Sequence, residues 1–260
     1  MSQNKFDLII VTGAGRGIGK AIAIKASELG KVLCISKTDS GKTAQDEINS
    51  SGLNADFLKL DLENYTEVKK EINAYLNTNP YKKIGLVLAA GILGPKGPID
   101  SVSLEEWDQC HKINVLGNLA VLQAALPSML KNRFGRIILF SGGGAVYPNP
   151  VFPAYSATKT SIVRTVENIY EDLKSKGDFN IFAIAPGSVE TDMLDEYKTG
   201  GGAIKKITPI SEPVNFVTEF LLSKQCGFNG CLVHVSNNWK SYLKTDQYQD
   251  EHMWKLRRIE

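Results

Sequence analysis

Leu8-Ile9-Ile10-Val11-Thr12-Gly13-Ala14-Gly15-Arg16-Gly17-Ile18-Gly19 decides how this 260-residue chain is read. An apolar run passes directly into glycines, and a helical period follows. Ile18, Ala21, Ile22, Lys25, Ala26 and Leu29 recur at helix spacing until Gly30 ends the segment. Glycines at this place let the backbone turn tightly and approach a pyrophosphate closely, and the helix N-terminus favours its negative charge. A rival phosphate loop, Ser40-Gly41-Lys42-Thr43, lacks the upstream glycine such a loop requires. That segment is read as the start of the second helix.

Working outward, short apolar runs alternate with helix-period stretches. The strands expected are Leu8–Val11, Val32–Ile35, Asp56–Leu60, Ile84–Ala89, Arg136–Phe140, Ile181–Ala185 and Cys231–Val235. Several are apolar throughout, as strands covered on both faces must be. Helical stretches run near Thr66–Leu76, Leu104–Leu130, Ala154–Ser175 and Glu212–Leu222, the last entered through Ser211 as capping hydroxyl with Pro213 in the first turn. This alternation predicts an α/β fold: a single-domain, doubly wound, Rossmann-type parallel sheet of about seven strands with helices on both faces. Residues 1–236 form that domain. Residues 237–260 are an aromatic tail, with Trp239, Tyr242, Tyr248 and Trp254, expected to pack on the domain or on a neighbouring subunit. Gly187–Ile210, with Gly200-Gly201-Gly202 inside it, is too long for a plain connection and reads as a mobile lid.

Composition narrows the function. A net charge of +2 gives no reason to expect nucleic acid as a partner. The four cysteines form no C-x-x-C pair, and His111, His234 and His252 are too dispersed for a metal site. No apolar run is read as a membrane span and no signal peptide is recognised, so a cytoplasmic, reducing location is expected.

Tyr155-Ser156-Ala157-Thr158-Lys159 carries the chemistry. Residues four apart on a helix share one face, so phenol and ammonium point into one cleft. The positive charge is expected to draw the phenol's pKa down from about 10 towards working pH. Tyr155 then serves as acid for ketone reduction and as base for alcohol oxidation.

The spacing T-G-x-x-x-G-x-G at Thr12–Gly19, together with Tyr155 and Lys159, resembles the short-chain dehydrogenase/reductase family from roughly Leu8 to Val235. The resemblance implies an NAD(P)-dependent oxidoreductase reducing a carbonyl or oxidising the alcohol. It places Thr12, Gly13, Gly15, Arg16, Gly17, Ile18 and Gly19 at the cofactor. Asp61 and Leu62 match the residues beside the adenine. Ala89-Ala90-Gly91 match the end of the family's N-N-A-G segment, whose asparagines are replaced here by Leu88 and Ala89. Pro186, Gly187, Val189 and Thr191 match the P-G-x-V-x-T segment that meets the nicotinamide, and Lys159 also holds the nicotinamide ribose.

Asn114 matches the residue that orders water and the lysine. Ser141 is expected to polarise the substrate oxygen, although the commonest family spacing counted back from Tyr155 lands on Gly142. The end of strand two selects the cofactor. Ser36 and Lys37, with Arg16 nearby and no carboxylate at the end of the strand, resemble NADP-preferring members, while Asp39 stands close enough to oppose a 2′-phosphate. A small-molecule substrate and a homodimer or homotetramer built on Leu104–Leu130 and Ala154–Ser175 are implied. Two other readings stay open. One is an NAD-linked dehydrogenase of a sugar or sugar nucleotide, as in polysaccharide biosynthesis. The other is a catalytically weak dinucleotide-binding sensor or structural subunit.

Overall fold

A computed structural model describes residues 5–246 and 254–256. Tyr248 and His252 lie outside the described residues. Seven parallel strands form one sheet: β1 (Leu8–Thr12), β2 (Val32–Ser36), β3 (Ala55–Lys59), β4 (Ile84–Leu88), β5 (Phe134–Phe140), β6 (Asp178–Ala185) and β9 (Leu232–His234), in the order β3-β2-β1-β4-β5-β6-β9. Two short strands, β7 (Ser188–Val189) and β8 (Ile207–Thr208), pair in parallel outside it.

Side chains alternate faces along each strand, and both faces are covered. Ile9, Val11, Val32, Cys34, Phe182 and Ile184 pack against α1 (Gly17–Ala26), α2 (Ser40–Ser50) and α8 (Ser211–Leu222). Leu8, Ile10, Leu33, Ile35, Ile137 and Leu139 pack against α3 (Tyr65–Leu76), α5 (Asn118–Asn132) and α6 (Pro153–Leu173). Because β1 lies between β2 and β4, the strand order reverses there. The carboxyl ends on the two sides of that reversal open the crevice where a ligand binds in such sheets.

Four expectations need correction. The helix expected over Leu104–Leu130 is interrupted: α4 (Leu104–His111) passes into a π-helical segment, Lys112–Gly117, before α5. Residues 104–132 are, among the described residues, long and apolar enough to cross a membrane, contrary to the sequence reading. Most of this stretch is buried inside the fold, where Val121, Leu122, Ala125 and Met129 face the sheet. Ser211 is not a cap; Ile210 takes that position, without a side-chain bond. The lid is also more regular than expected, carrying α7 (Asp192–Thr199) and tied at its base by the β7–β8 pair.

The described part of the tail packs on its own chain. The helix α9 (Trp239–Tyr242) lays Trp239 on Phe216, with centroids 4.2 Å apart. Leu232 N donates to Trp254 O across 2.8 Å at the β9 edge, and Arg164 Nη2 donates to Leu256 O across 3.0 Å.

Candidate active site

The glycine turn stands at the strand-order reversal. Gly13 has φ +70 and presses on Ala90, and a Cβ at Gly19 would collide with the carbonyl of Gly13. This is a cradle that side chains would fill. It sits below the first turn of α1, whose leading N–H groups have no intrahelical acceptor. Thr191, at the base of the lid, lies over Gly17, so the P-G-x-V-x-T segment and the glycine loop share one wall. The residues present therefore fit a dinucleotide.

The missing asparagines of strand four are replaced from an unforeseen place. Asn118, buried at the start of α5, accepts from Thr12 Oγ1 at 2.7 Å and donates to Ala90 O at 3.0 Å and Asn114 O at 3.2 Å. Thr12 Oγ1 in turn accepts from Ala90 N at 3.1 Å. The loop Ala89–Gly91 is thus held by Asn118 and Thr12 instead of by its own side chains. The signal in the sequence was Asn114-x-x-x-Asn118, two amides four apart in an otherwise apolar helix.

Asn114 sits in the π-helical segment, which turns it towards Ile92. It accepts from Ile92 N at 2.8 Å and donates to Ile92 O at 2.9 Å and Thr158 Oγ1 at 3.0 Å. Thr158 Oγ1 donates to Tyr155 O at 2.7 Å. A continuous set of hydrogen bonds therefore runs from the end of β1 to the turn of α6 that carries Tyr155.

Lys159 Nζ donates to Phe140 O at 2.8 Å and stands 5.1 Å from the centre of the Tyr155 ring. Burial dominates both groups. It pushes the Tyr155 phenol well above its ordinary value and pulls the Lys159 ammonium down to about 8. The expectation that Lys159 lowers the phenol is reversed in direction, because desolvation penalises the phenolate more than the neighbouring cation rewards it. A sign for stability follows. Between about 8 and 10.5 the unfolded chain holds a proton on Lys159 that the folded chain has lost, so this group makes stability rise with pH in that window. Lys159→Met should flatten that rise relative to the parent in urea unfolding at pH 8, 9 and 10; parallel curves would refute the depressed ammonium.

Ser141 does not reach the phenol. Its hydroxyl donates to Lys159 O at 2.8 Å, buried between β5 and α6. The position facing Tyr155 is Gly142, where a Cβ would stand 3.5 Å from Tyr155 Oη. Gly142, the position the commonest family spacing counts back to, thus faces the phenol, while the Ser141 hydroxyl is committed to Lys159 O.

At the carboxyl end of β2, each expected cofactor contact already has a partner. Lys37 Nζ pairs with Asp61 Oδ2 at 2.7 Å, and Arg16 Nη1 with Asp192 Oδ2 at 2.9 Å. Asp61 also accepts from Glu63 N at 3.1 Å. Asp39 is held by Lys59 at 2.8 Å. The Ser36 hydroxyl donates to Thr38 O and accepts from Gly41 N, which leaves it no proton for a phosphate.

A buried phenol and ammonium beside a dinucleotide cradle define a nicotinamide-dependent oxidoreductase of C=O and CH–OH groups. The chain belongs to the short chain dehydrogenase family, whose profile matches residues 7–200. It is 32% identical over 240 residues to 3-oxoacyl-[acyl-carrier-protein] reductase FabG of Aquifex aeolicus, covering 87% of this chain and 94% of that protein. With the chloroplastic NADPH-dependent aldehyde reductase-like protein of Arabidopsis thaliana it shares 31% identity over 203 residues, 73% of this chain and 75% of the relative. Among solved structures, 7 alpha-hydroxysteroid dehydrogenase complexed with NADH and 7-oxo glycochenodeoxycholic acid superposes with a TM-score of 0.77 at 25% identity, over 90% of this chain and 94% of that one.

Proposed function

We propose that this enzyme works as an NADP-linked reductase of a small carbonyl compound, with Tyr155 as proton donor. The observation that carries the reading is the convergence of Tyr155, Lys159 and Asn114 on one hydrogen-bonded corner beside the cradle. The nicotinamide supplies the hydride when bound. Tyr155 Oη gives its proton to the substrate oxygen, and its raised pKa keeps that proton in place until it is needed. The Lys159 cation stabilises the phenolate left behind and is aligned by Phe140 O. Asn114 fixes Ile92 and the Tyr155 turn relative to each other. A screen of aldehydes, ketones, acyl thioesters and sugar nucleotides under NADH and NADPH tests this. Absence of carbonyl-dependent oxidation of either cofactor would sink it.

Preference for NADP rests on Lys37 and Arg16, whose present ion pairs are exposed; the Arg16 and Asp192 side chains are 66% and 72% accessible. Exposed pairs contribute about 0–1 kcal/mol, whereas a charge-assisted bond to a 2′-phosphate contributes about 1.5–3 kcal/mol. The exchange favours the phosphate, and Lys59 neutralises the opposing Asp39. The name of the Arabidopsis relative, an NADPH-dependent aldehyde reductase-like protein, agrees with this preference. The parent should bind NADPH about tenfold more tightly than NADH, and Ser36→Asp with Lys37→Ala should reverse the order. Tighter NADH binding by the parent, measured by fluorescence titration, would overturn the preference.

We also propose where the enzyme works and how its subunits assemble. A cytoplasmic, reducing location is consistent with Cys34, Cys110, Cys226 and Cys231 all being buried free thiols. Dimers or tetramers would form through α4, α5 and α6, and light scattering that returns only monomer at working concentrations would contradict them.

A further inference from the structure

We propose that Tyr197 is a specificity-determining residue: with Phe152 it forms an aromatic clasp that holds the lid shut beside Tyr155 and discriminates against extended carbonyl substrates. The proposal rests on the carbonyl-reductase reading and adds to it the residue that sets substrate size.

Five observations converge on this clasp. Tyr197, on α7 of the lid, stacks on Phe152 with ring centroids 5.2 Å apart and planes 27° from parallel. Phe152 is buried and directly precedes α6, one turn ahead of Tyr155. Asn149 Nδ2 donates to Tyr197 Oη at 3.3 Å, which ties the lid to the loop leading into α6. Lys205, further along the lid, stands 5.8 Å from the ring of Tyr147 in the same loop. Finally, a Cβ at Gly200 would strike the Phe152 ring, and one at Gly202 would strike the Tyr197 ring. Gly200 and Gly202 are therefore seated against the stacked pair, with Gly201 turning between them at φ +96.

Phe152 caps the helix that carries Tyr155, so this seam borders the phenol, and we take it as the wall met by the body of a substrate. Burial is what chiefly holds the Tyr155 phenol up in pKa, and Tyr197 stands close enough to add to it. A compact carbonyl reaches Tyr155 with the clasp made. A long one must push Tyr197 off Phe152 and forfeit the stacking, a loss of about threefold to tenfold in affinity for an aromatic pair of this kind. The Arg16–Asp192 pair, the lid's link to the glycine loop, is exposed and too weak to hold it alone.

The experiment compares parent, Tyr197→Ala, Tyr197→Phe and Gly202→Ala in two measurements. The first is hydrogen exchange of residues 190–204. The second is kcat/KM with NADPH for butanone and for 2-decanone. Tyr197→Ala and Gly202→Ala should speed exchange across the lid and raise the decanone-to-butanone ratio about threefold to tenfold. Tyr197→Phe, which keeps the stack, should retain the parental ratio. Unchanged lid exchange in Tyr197→Ala overturns the clasp. Faster exchange with an unchanged ratio overturns the specificity role. Lack of turnover by the parent with any carbonyl is a failure of the reductase reading instead, and the exchange measurement still decides the clasp. A thermal melt of each variant shows whether a change is confined to the lid.

Discussion

Tyr155→Phe is expected to lower kcat by about 100- to 10,000-fold, the usual contribution of a positioned acid–base group, with NADPH binding preserved. Phenylalanine keeps the ring and its 5.1 Å approach to Lys159 Nζ, so the change removes the hydroxyl and little else. The phenol is buried and held in its protonated form, which suits it to give a proton during reduction. It must lose that proton before it acts as a base, so alcohol oxidation should climb with pH up to about 8, where reduction stays flat because Lys159 keeps its proton. Steady-state kinetics in both directions, with cofactor titration, check this. Turnover of Tyr155→Phe near the parental rate would remove Tyr155 from the mechanism.

Gly142→Ser should raise kcat/KM for a simple ketone by about tenfold or more. A single preorganised donor at a developing oxyanion commonly contributes 100-fold or more in rate, and a newly introduced one recovers part of that. The site has room. Gly142 has φ 173, an extended backbone open to any residue, and Tyr155 Oη at 3.5 Å is the nearest neighbour a Cβ would meet. Ser141→Ala, by contrast, should cost about 1 kcal/mol of stability through the lost bond to Lys159 O, with kcat within about threefold of the parent. The opposite pattern, an inert Gly142→Ser beside a 100-fold loss in Ser141→Ala, would return the polarising role to Ser141. Circular dichroism melts separate the stability effect from the kinetic one.

Much of this protein is written locally. Apolar runs of strand length alternating with helix-period segments specified the seven-stranded parallel sheet, because strands buried on both faces have no polar face to show. The turn Thr12–Gly19 and the pair Tyr155 and Lys159 could be read for the same reason: their chemistry depends on spacing within one element. What failed to show was whatever depends on a partner distant in the chain. Asn118 meets Thr12 and Ala90 only once β1, β4 and α5 are packed together. Ser141 and Gly142 are adjacent in sequence, yet only the packing of β5 against α6 turns one to a helix carbonyl and the other to the phenol. The direction of the Tyr155 pKa is not legible in the spacing, which reports a neighbouring charge but not the water excluded around the phenol. Lys37 and Arg16 were legible as cations, while their carboxylate partners Asp61 and Asp192 came from the end of β3 and from the lid. The sequence by itself determined the sheet, the glycine turn and the one-face spacing of Tyr155 and Lys159. Tertiary structure decided which polar atoms remain available to a ligand, since a hydrogen bond or ion pair is committed by proximity in space, and proximity between elements is set by the packed core.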